Sequence, residues 1–225
     1  MTIRVLGVGR KFVLGEREMW AVRGVSFDLN DGEFVAFVGP SGSGKTTLLT
    51  LAGGLQDPSE GEIYWEADKL STISDRRRAL LRSRHTGFSF QAAELLPRFS
   101  VAENIRAAFH LRGRGREEAD AYIEEGLARF QMRDLGDAKP AALSGGEGKI
   151  VSLLRAAAAD PSVLFVDEPT GDLDEKRSKT VISFLQEYHR RGKSICLVTH
   201  DKKFARLTST IYSMDKGKVT ASASK

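Results

Sequence analysis

Apolar residues in this chain gather in short unbroken runs. Phe34-Val35-Ala36-Phe37-Val38, Val163-Leu164-Phe165-Val166 and Ile195-Cys196-Leu197-Val198 are each bounded by polar or turn residues. Runs of this length, rich in Val, Ile and Phe, predict strands buried on both faces of a sheet. The first segment is also β-rich: Ile3, Val5 and Leu6, then Val22, Val25, Phe27 and Leu29, ending at the turn Asn30-Asp31-Gly32. Asp57-Pro58-Ser59-Glu60-Gly61 predicts a turn before a short strand, Glu62-Ile63-Tyr64-Trp65, and Thr86-Gly87-Phe88-Ser89-Phe90 predicts another. From about Pro97 to Lys139 the period becomes helical. Ala119, Tyr122, Ile123, Leu127 and Phe130 share one face, and Glu117, Glu118, Glu124 and Glu125 fall on others. Further helices are expected near Lys149 to Ala159 and from roughly Asp174 to Arg191, and a short β-like segment closes the chain. Strands alternating with helices predict an α/β fold with a mainly parallel sheet, into which the helical block is inserted.

Composition narrows the picture modestly. The 225 residues suit one large α/β domain, or one domain with a small subdomain. Net charge is +4, from 34 basic and 30 acidic residues, mostly interspersed. Two clusters of arginine stand out: Arg76, Arg77, Arg78, Arg82 and Arg84, and Arg112, Arg114 and Arg116. Arginines bind nucleic acid or anionic lipid. Here no aromatic residues interleave with them as a base-stacking platform needs, so a solvated helix face or a protein contact near a membrane is the preferred reading. The single Cys196 forms no internal disulfide and, lying in an apolar run, is expected to be a buried, inert thiol. The N-terminus carries no signal-peptide pattern, and no stretch approaches the ~20 apolar residues a membrane span needs. A membrane role would therefore come through a partner. Apart from the final Ala-Ser-Ala-Ser-Lys there is no low-complexity stretch.

The strongest chemical signal is Gly39-Pro40-Ser41-Gly42-Ser43-Gly44-Lys45-Thr46, between the run ending at Val38 and the helical Thr47-Leu48-Leu49. It fits G-x-x-x-x-G-K-[ST] in the strand, loop and helix context that makes a phosphate loop. Glycines let backbone N–H groups converge on a phosphate, and the helix behind adds the positive end of its dipole. Lys45 is suited to the β- and γ-phosphates and the Thr46 hydroxyl to Mg²⁺.

Hydrolysis further needs a metal carboxylate, an aligned water and stabilisation of transferring charge. Asp167 ends an apolar strand, at the sheet edge where open parallel sheets bind ligands, and its carboxylate suits Mg²⁺. Glu168 beside it suits orientation or deprotonation of the attacking water. His200 follows the strand Ile195 to Thr199 at the same type of edge and suits a hydrogen bond to a γ-phosphate. Gln91 follows Phe90 and offers a neutral amide to the metal or the water. Finally, Leu143-Ser144-Gly145-Gly146-Glu147 precedes a helix. Ser144 is a good N-cap. In series with the other motifs, Ser144, Gly145 and Gly146 read instead as a second anion-binding nest.

Taken in order, Gly39 to Thr46, Gln91, Leu143 to Glu147, Val163 to Glu168, Leu173-Asp174 and His200 resemble the ATP-binding cassette (ABC) ATPases over nearly the whole chain. The resemblance implies a phosphate-loop NTPase fold with an N-terminal antiparallel β-subdomain. It implies an ATP-binding core at about 1–90 and 160–225 and a helical subdomain at about 91–159. It assigns Gly39 to Thr47 as the Walker A loop, Gln91 as the Q-loop residue and Leu143 to Glu147 as the signature. Asp167 becomes the Walker B carboxylate, Glu168 the catalytic base and His200 the switch histidine. Gly171 to Asp174 becomes the D-loop, and Phe12, or second Trp20, the aromatic that stacks on adenine. It implies ATP and Mg²⁺ as cofactors and a head-to-tail homodimer, each ATP lying between the Walker A loop of one copy and the signature of the other. Its implied partner is an integral membrane permease-like subunit, on whose cytoplasmic face the chain would sit.

Gly87 to Gln91 with Leu95-Leu96-Pro97 and Val101 to Asn104, and Asp167 to Asp174, are similar to one subgroup: the lipoprotein-release, macrolide-export and FtsE-type ATPases. Two positions depart from the family pattern. Gly148-Lys149-Ile150 replaces the usual Gln/Arg-rich turn after the signature, which is expected to remove polar contacts and to place a costly Gly at a helix start. Asp172 stands where the subgroup commonly has Asn. Competing readings are a ribosome or nucleic-acid factor on the same cassette, and a small-molecule kinase. The first is disfavoured because one cassette is present and no sustained heptads lie between the Walker A loop and the signature, so no nucleic acid is expected. The second would not need Ser144-Gly145-Gly146 or His200.

Overall fold

The structure is a computed structural model that describes residues 1–15 and 17–224; the final Lys225 of the Ala/Ser tail lies outside them. Strands and helices follow in the order β1 (Ile3–Leu14), β2 (Arg17–Leu29), β3 (Phe34–Val38), α1 (Lys45–Ala52), β4 (Glu60–Trp65), β5 (Asp68–Lys69) and α2 (Asp75–His85). Then come β6 (Thr86–Ser89), α3 (Val101–Leu111), α4 (Arg116–Arg129), α5 (Gly145–Ala157), β7 (Val163–Asp167) and α6 (Glu175–Arg190). The chain closes with β8 (Ser194–Thr199), α7 (Lys202–Ala205), β9 (Thr210–Asp215) and β10 (Lys218–Ser224). Two compact units form: Met1–Arg82 with Gly192–Lys225, and Ser83–Arg191.

The first unit holds an antiparallel sheet in the order β2-β1-β4-β5 and a run of strands in the order β10-β9-β3-β8. All five residues of β3 are buried, as expected for a strand covered on both faces. It pairs in parallel with β8, Phe34 opposite Ile195 through Val38 opposite Thr199, and with β9, Val35 opposite Thr210 through Val38 opposite Ser213. Phe37 meets Phe27 edge-on at 4.7 Å and stacks on Tyr212 at 4.9 Å. The Trp65 indole N–H donates to the Ala52 carbonyl at 2.9 Å and so ties β4 to the end of α1.

In the second unit β6 and β7 pair in parallel, Thr86 opposite Val163 through Ser89 opposite Val166. Phe88 stacks on Phe165 at 5.1 Å. Helix α5 supplies Ile150, Val151, Leu153 and Leu154 to the core, α3 supplies Ile105 and Phe109, and α6 supplies Val181, Leu185 and Tyr188. The Tyr188 hydroxyl donates to the Pro161 carbonyl at 2.6 Å.

The arginine clusters are largely absorbed by structure. Arg77 and Arg78 pair with Asp68 and Asp57, and Arg82 donates to the Gly54 carbonyl at 2.8 Å. Arg112 is spent on three carbonyls, of Ser83 at 2.7 Å, Ala158 at 2.6 Å and Thr86 at 2.7 Å. Burial pushes its guanidinium below the usual arginine value. Arg112 thereby departs from the solvated-helix-face reading: its donors point inward. Arg114 pairs with Glu118 one helical turn on. The α2 arginines do lie on a largely exposed helix, which buries no residue.

Helix α5 packs against β6 at a point only glycine permits. A Cβ at Gly87 would stand 1.9 Å from the Ala156 carbonyl oxygen and 2.8 Å from Leu164 Cδ2. Gly87→Ala is therefore expected to destabilise the protein by about 1–3 kcal/mol, the usual range for forced overpacking. Urea unfolding of the variant measures this, and an unchanged midpoint would contradict the close approach.

Candidate active site

The phosphate loop joins β3 to α1 within the first unit. Gly42 and Gly44 have φ of 75° and 96°, and Gly44 is the residue preceding α1. A Cβ at Gly39 would lie 2.1 Å from the Met214 carbonyl oxygen, and one at Gly44 would lie 2.0 Å from that of Ala21. Both glycines are thus fixed by backbone contact, and Gly44 by its conformation as well. The Lys45 ammonium donates to the carbonyls of Gly39 at 3.0 Å and Pro40 at 2.9 Å, arched back over the loop. The Ser43 hydroxyl is buried with no hydrogen-bond partner, a polar atom inside a loop built to meet polar ligands. Thr46 is exposed.

His200 is exposed and directly follows β8. Because Val38 pairs with Thr199, Gly39 and His200 leave adjacent strands at one edge. The Asp201 N–H donates to Thr199 Oγ1 at 3.0 Å, and the Asp201 carboxylate caps α7 through the N–H groups of Lys203 and Phe204. These bonds fix the backbone on the C-terminal side of His200. Phe12 and Trp20 occur on the paired strands β1 and β2, where Trp20 is opposite Lys11 and Phe12 opposite Met19. Trp20 is already engaged: a Cβ at Gly9 would touch its ring at 2.8 Å, and the charged ends of Lys11 and Arg23 lie 5.8 Å and 5.4 Å from its centre. The Arg10 guanidinium lies 5.1 Å from the centre of the Phe12 ring.

The remaining candidates lie in the second unit. Asp167 is the buried last residue of β7, and Glu168 follows it, also buried. Gln91 is exposed just past β6, whose pairing with β7 brings it to the same edge as Asp167. Glu168 has φ 47°, the left-handed region for a non-glycine residue.

The signature segment folds differently from the sequence expectation in one respect. Helix α5 begins at Gly145, four residues ahead of the expected start at Lys149. Ser144 is its N-cap and forms a capping box: Ser144 Oγ accepts from the Glu147 N–H at 3.3 Å, and the Ser144 N–H donates to Glu147 Oε2 at 2.9 Å. Hydrogen bonds from the Ser144 backbone and side chain, then Arg177, hold the Glu147 carboxyl below the usual range. Gly148 lies inside the helix, where an added Cβ would come within 3.3 Å of Ala93 Cβ. A side chain there would press on Ala93. Asp174 caps α6, accepting from the Arg177 N–H at 2.7 Å. Lys149 makes polar contacts of its own within the chain. Its ammonium donates to the Gly171 carbonyl and to Asp172 Oδ2, both at 2.7 Å. Sequence reasoning had no signal for this pair, because the partners are 23 residues apart.

Comparison with known proteins agrees with the motifs. The ABC transporter family model matches residues 22–171. The chain is 39% identical over 220 residues to the lipoprotein-releasing system ATP-binding protein LolD 1 of Rhodospirillum rubrum, covering 97% of both chains. It is 36% identical to the macrolide export ATP-binding/permease protein MacB 2 of Aeromonas hydrophila, covering 96% of this chain and 34% of that one. Among solved structures, a dimeric ATP-binding cassette in a post-hydrolysis state bound to ADP and Pi matches with a TM-score of 0.93 at 31% identity, covering 99% of this chain and 98% of that one. The chain belongs to the ABC transporter ATPase family, whose catalytic activity is ATP hydrolysis.

Gly44→Ala is expected to weaken ATP binding at least about tenfold, since a Cβ against a strand carbonyl forces the loop out of shape. Titration with a fluorescent ATP analogue reads this directly. Wild-type affinity would show that the Ala21 contact does not set the loop.

Proposed function

We propose that this chain is the ATP-hydrolysing subunit of a membrane complex of the lipoprotein-release, macrolide-export or FtsE type, acting as a head-to-tail pair of copies. The observation that carries the reading is that one chain presents two helix starts suited to phosphate: the glycine-bounded start of α1 and the Ser144-capped start of α5. One γ-phosphate held from both sides makes ATP the glue of the dimer, and its hydrolysis loosens that glue.

Roles are assigned residue by residue. The backbone of Gly39 to Thr47 and the Lys45 ammonium bind the phosphates. Phe12, the less engaged of the two aromatics, stacks on adenine. Ser144, Gly145 and Gly146 act on the nucleotide of the second copy, and Asp174 belongs to the loop beside it. Glu168 orients and deprotonates the attacking water, while His200 hydrogen-bonds the γ-phosphate.

Thr46, Gln91 and Asp167 would supply oxygen donors for Mg²⁺. Hydroxyl, carboxamide and carboxylate oxygens suit this hard ion, which keeps waters and phosphates as its other ligands. When bound, the ion neutralises charge on the phosphates.

For the membrane partner, a groove of about 760 Å³ offers both apolar and charged lining residues. Leu96, Phe99 and Leu111 are exposed in it, beside Glu103 and Arg106. Such a surface suits a short segment on the cytoplasmic side of a permease-like subunit. No helix of the described residues is long and apolar enough to cross a membrane. The transported molecule would be read by that subunit.

Two variants test the reading. Glu168→Gln is expected to bind ATP, to lose about 100-fold or more in turnover, and to accumulate as a dimer with ATP on size exclusion. Wild-type turnover would remove the base assignment. Ser144→Arg is expected to abolish hydrolysis while a single copy still binds ATP normally. Collapse of single-copy affinity would place Ser144 on its own chain's nucleotide instead.

A further inference from the structure

The turn after Glu168 is conformationally costly. Glu168 and Asp172, neither a glycine, both sit in the left-handed region, with φ 47° and 64°. Each such residue is strained and persists only where surrounding contacts hold it. Two backbone bonds inside the turn help: the Gly171 N–H donates to the Glu168 carbonyl at 3.2 Å, and that of Leu173 to Thr170 at 3.3 Å.

The rest of the grip comes from helix α5. Lys149 is almost fully buried, and its ammonium donates to the Gly171 carbonyl and to Asp172 Oδ2. A side chain at Gly171 would crowd this approach, since its Cβ would lie 3.1 Å from Lys149 Nζ. One peptide unit further the packing is equally close: a Cβ at Gly146 would lie 2.8 Å from Leu173 Cδ2 and 3.3 Å from the Asp172 carbonyl oxygen. Arg177 then reaches back to Glu147 Oε1 at 3.2 Å. The first two turns of α5 are thereby stitched to the segment between Glu168 and the start of α6.

We infer that Lys149 and Asp172 are a positioning pair for catalysis: the ammonium clamps the 168–172 turn to α5 and so fixes the backbone from which Glu168 projects. The inference rests on the reading of Glu168 as the group that activates water. Lys149 is two hydrogen bonds from Glu168, through the carbonyl and then the N–H of Gly171. Asp172 completes the clamp, because a buried ammonium facing only a carbonyl would lack a counter-charge. The hydrogen bond from Lys149 in turn holds the Asp172 carboxyl below the usual range. The two departures from the family pattern, Lys149 and Asp172, are therefore one contact. The same clamp links the helix start proposed to face the second copy's nucleotide with the chain's own Glu168.

Steady-state ATP turnover of the full chain tests this with Asp172→Ala, Lys149→Met, their double variant, and the neutral pair Lys149→Gln with Asp172→Asn. Asp172→Ala and Lys149→Met are each expected to lower kcat at least about fivefold and to change KM for ATP less than about twofold, since no proposed ATP-contacting group is altered. The double variant is expected to be no slower than the slower single one, as coupled partners behave. The neutral pair is expected to recover kcat to within about threefold of wild type. Asp172 is 78% exposed, so its truncation leaves the core intact and decides the matter even where Lys149→Met fails to fold. Wild-type kcat in Asp172→Ala, or losses that multiply in the double variant, would overturn the pair alone. A wild-type chain without ATP turnover, or an unimpaired Glu168→Gln, would overturn the underlying reading and the pair with it.

Discussion

The phosphate loop keeps its shape because neighbouring backbone leaves it no room to relax. Carbonyl oxygens of Ala21 in β2 and Met214 in β9 occupy the space that side chains at Gly44 and Gly39 would need. The Gly217 N–H, from the turn between β9 and β10, donates to the Ser43 carbonyl at 2.9 Å, and its own carbonyl accepts from the Arg23 N–H at 2.8 Å. Strands from both sheets of the first unit thus brace a single eight-residue segment. The antiparallel sheet, which carries no catalytic side chain, acquires a purpose here: its second strand is part of the wall against which the loop is cast.

The second unit solves a different problem with similar means. Its catalytic candidates sit where a buried strand ends and the chain must turn at once. The turn is held by contacts from α5, whose glycines allow close approach at Gly146 and Gly148. Glycines lower helix propensity, yet here they let a helix lie flat against Leu173 and Ala93. Packing recovers what propensity loses, and the capping box at Ser144 secures the helix start.

The parts of the fold that sequence reveals are those whose physics is local. β3, β7 and β8 are unbroken apolar runs because both faces are buried, and their positions follow directly. The phosphate loop is equally legible, since its function demands glycines, a lysine and a threonine in contiguous order. Helix α2 goes unseen because it buries nothing and so carries no apolar stripe. Strand β1 looks shorter than it is, because register shifts near Gly7 and Gly9 break its alternation. The early start of α5 is masked by its own glycines. Trp20 and Phe12 both qualify on sequence as the adenine-stacking aromatic, and only the structure shows their neighbours: Gly9, Lys11 and Arg23 around Trp20, and Arg10 over Phe12. The Lys149–Asp172 contact needs the tertiary fold to exist at all.

Cys196 has an implication of its own. The sole thiol of the chain lies inside β8, fully enclosed, and burial pushes its pKa up to about 12. Ordinary alkylating reagents therefore meet neither an accessible sulfur nor a thiolate while the strand is in place. The strand that hides this atom also ends at His200, so the pace of sulfur labelling times the opening of the scaffold behind the histidine. The protein contains a natural clock for the integrity of the strand that leads into His200, readable by mass spectrometry without introducing any foreign probe.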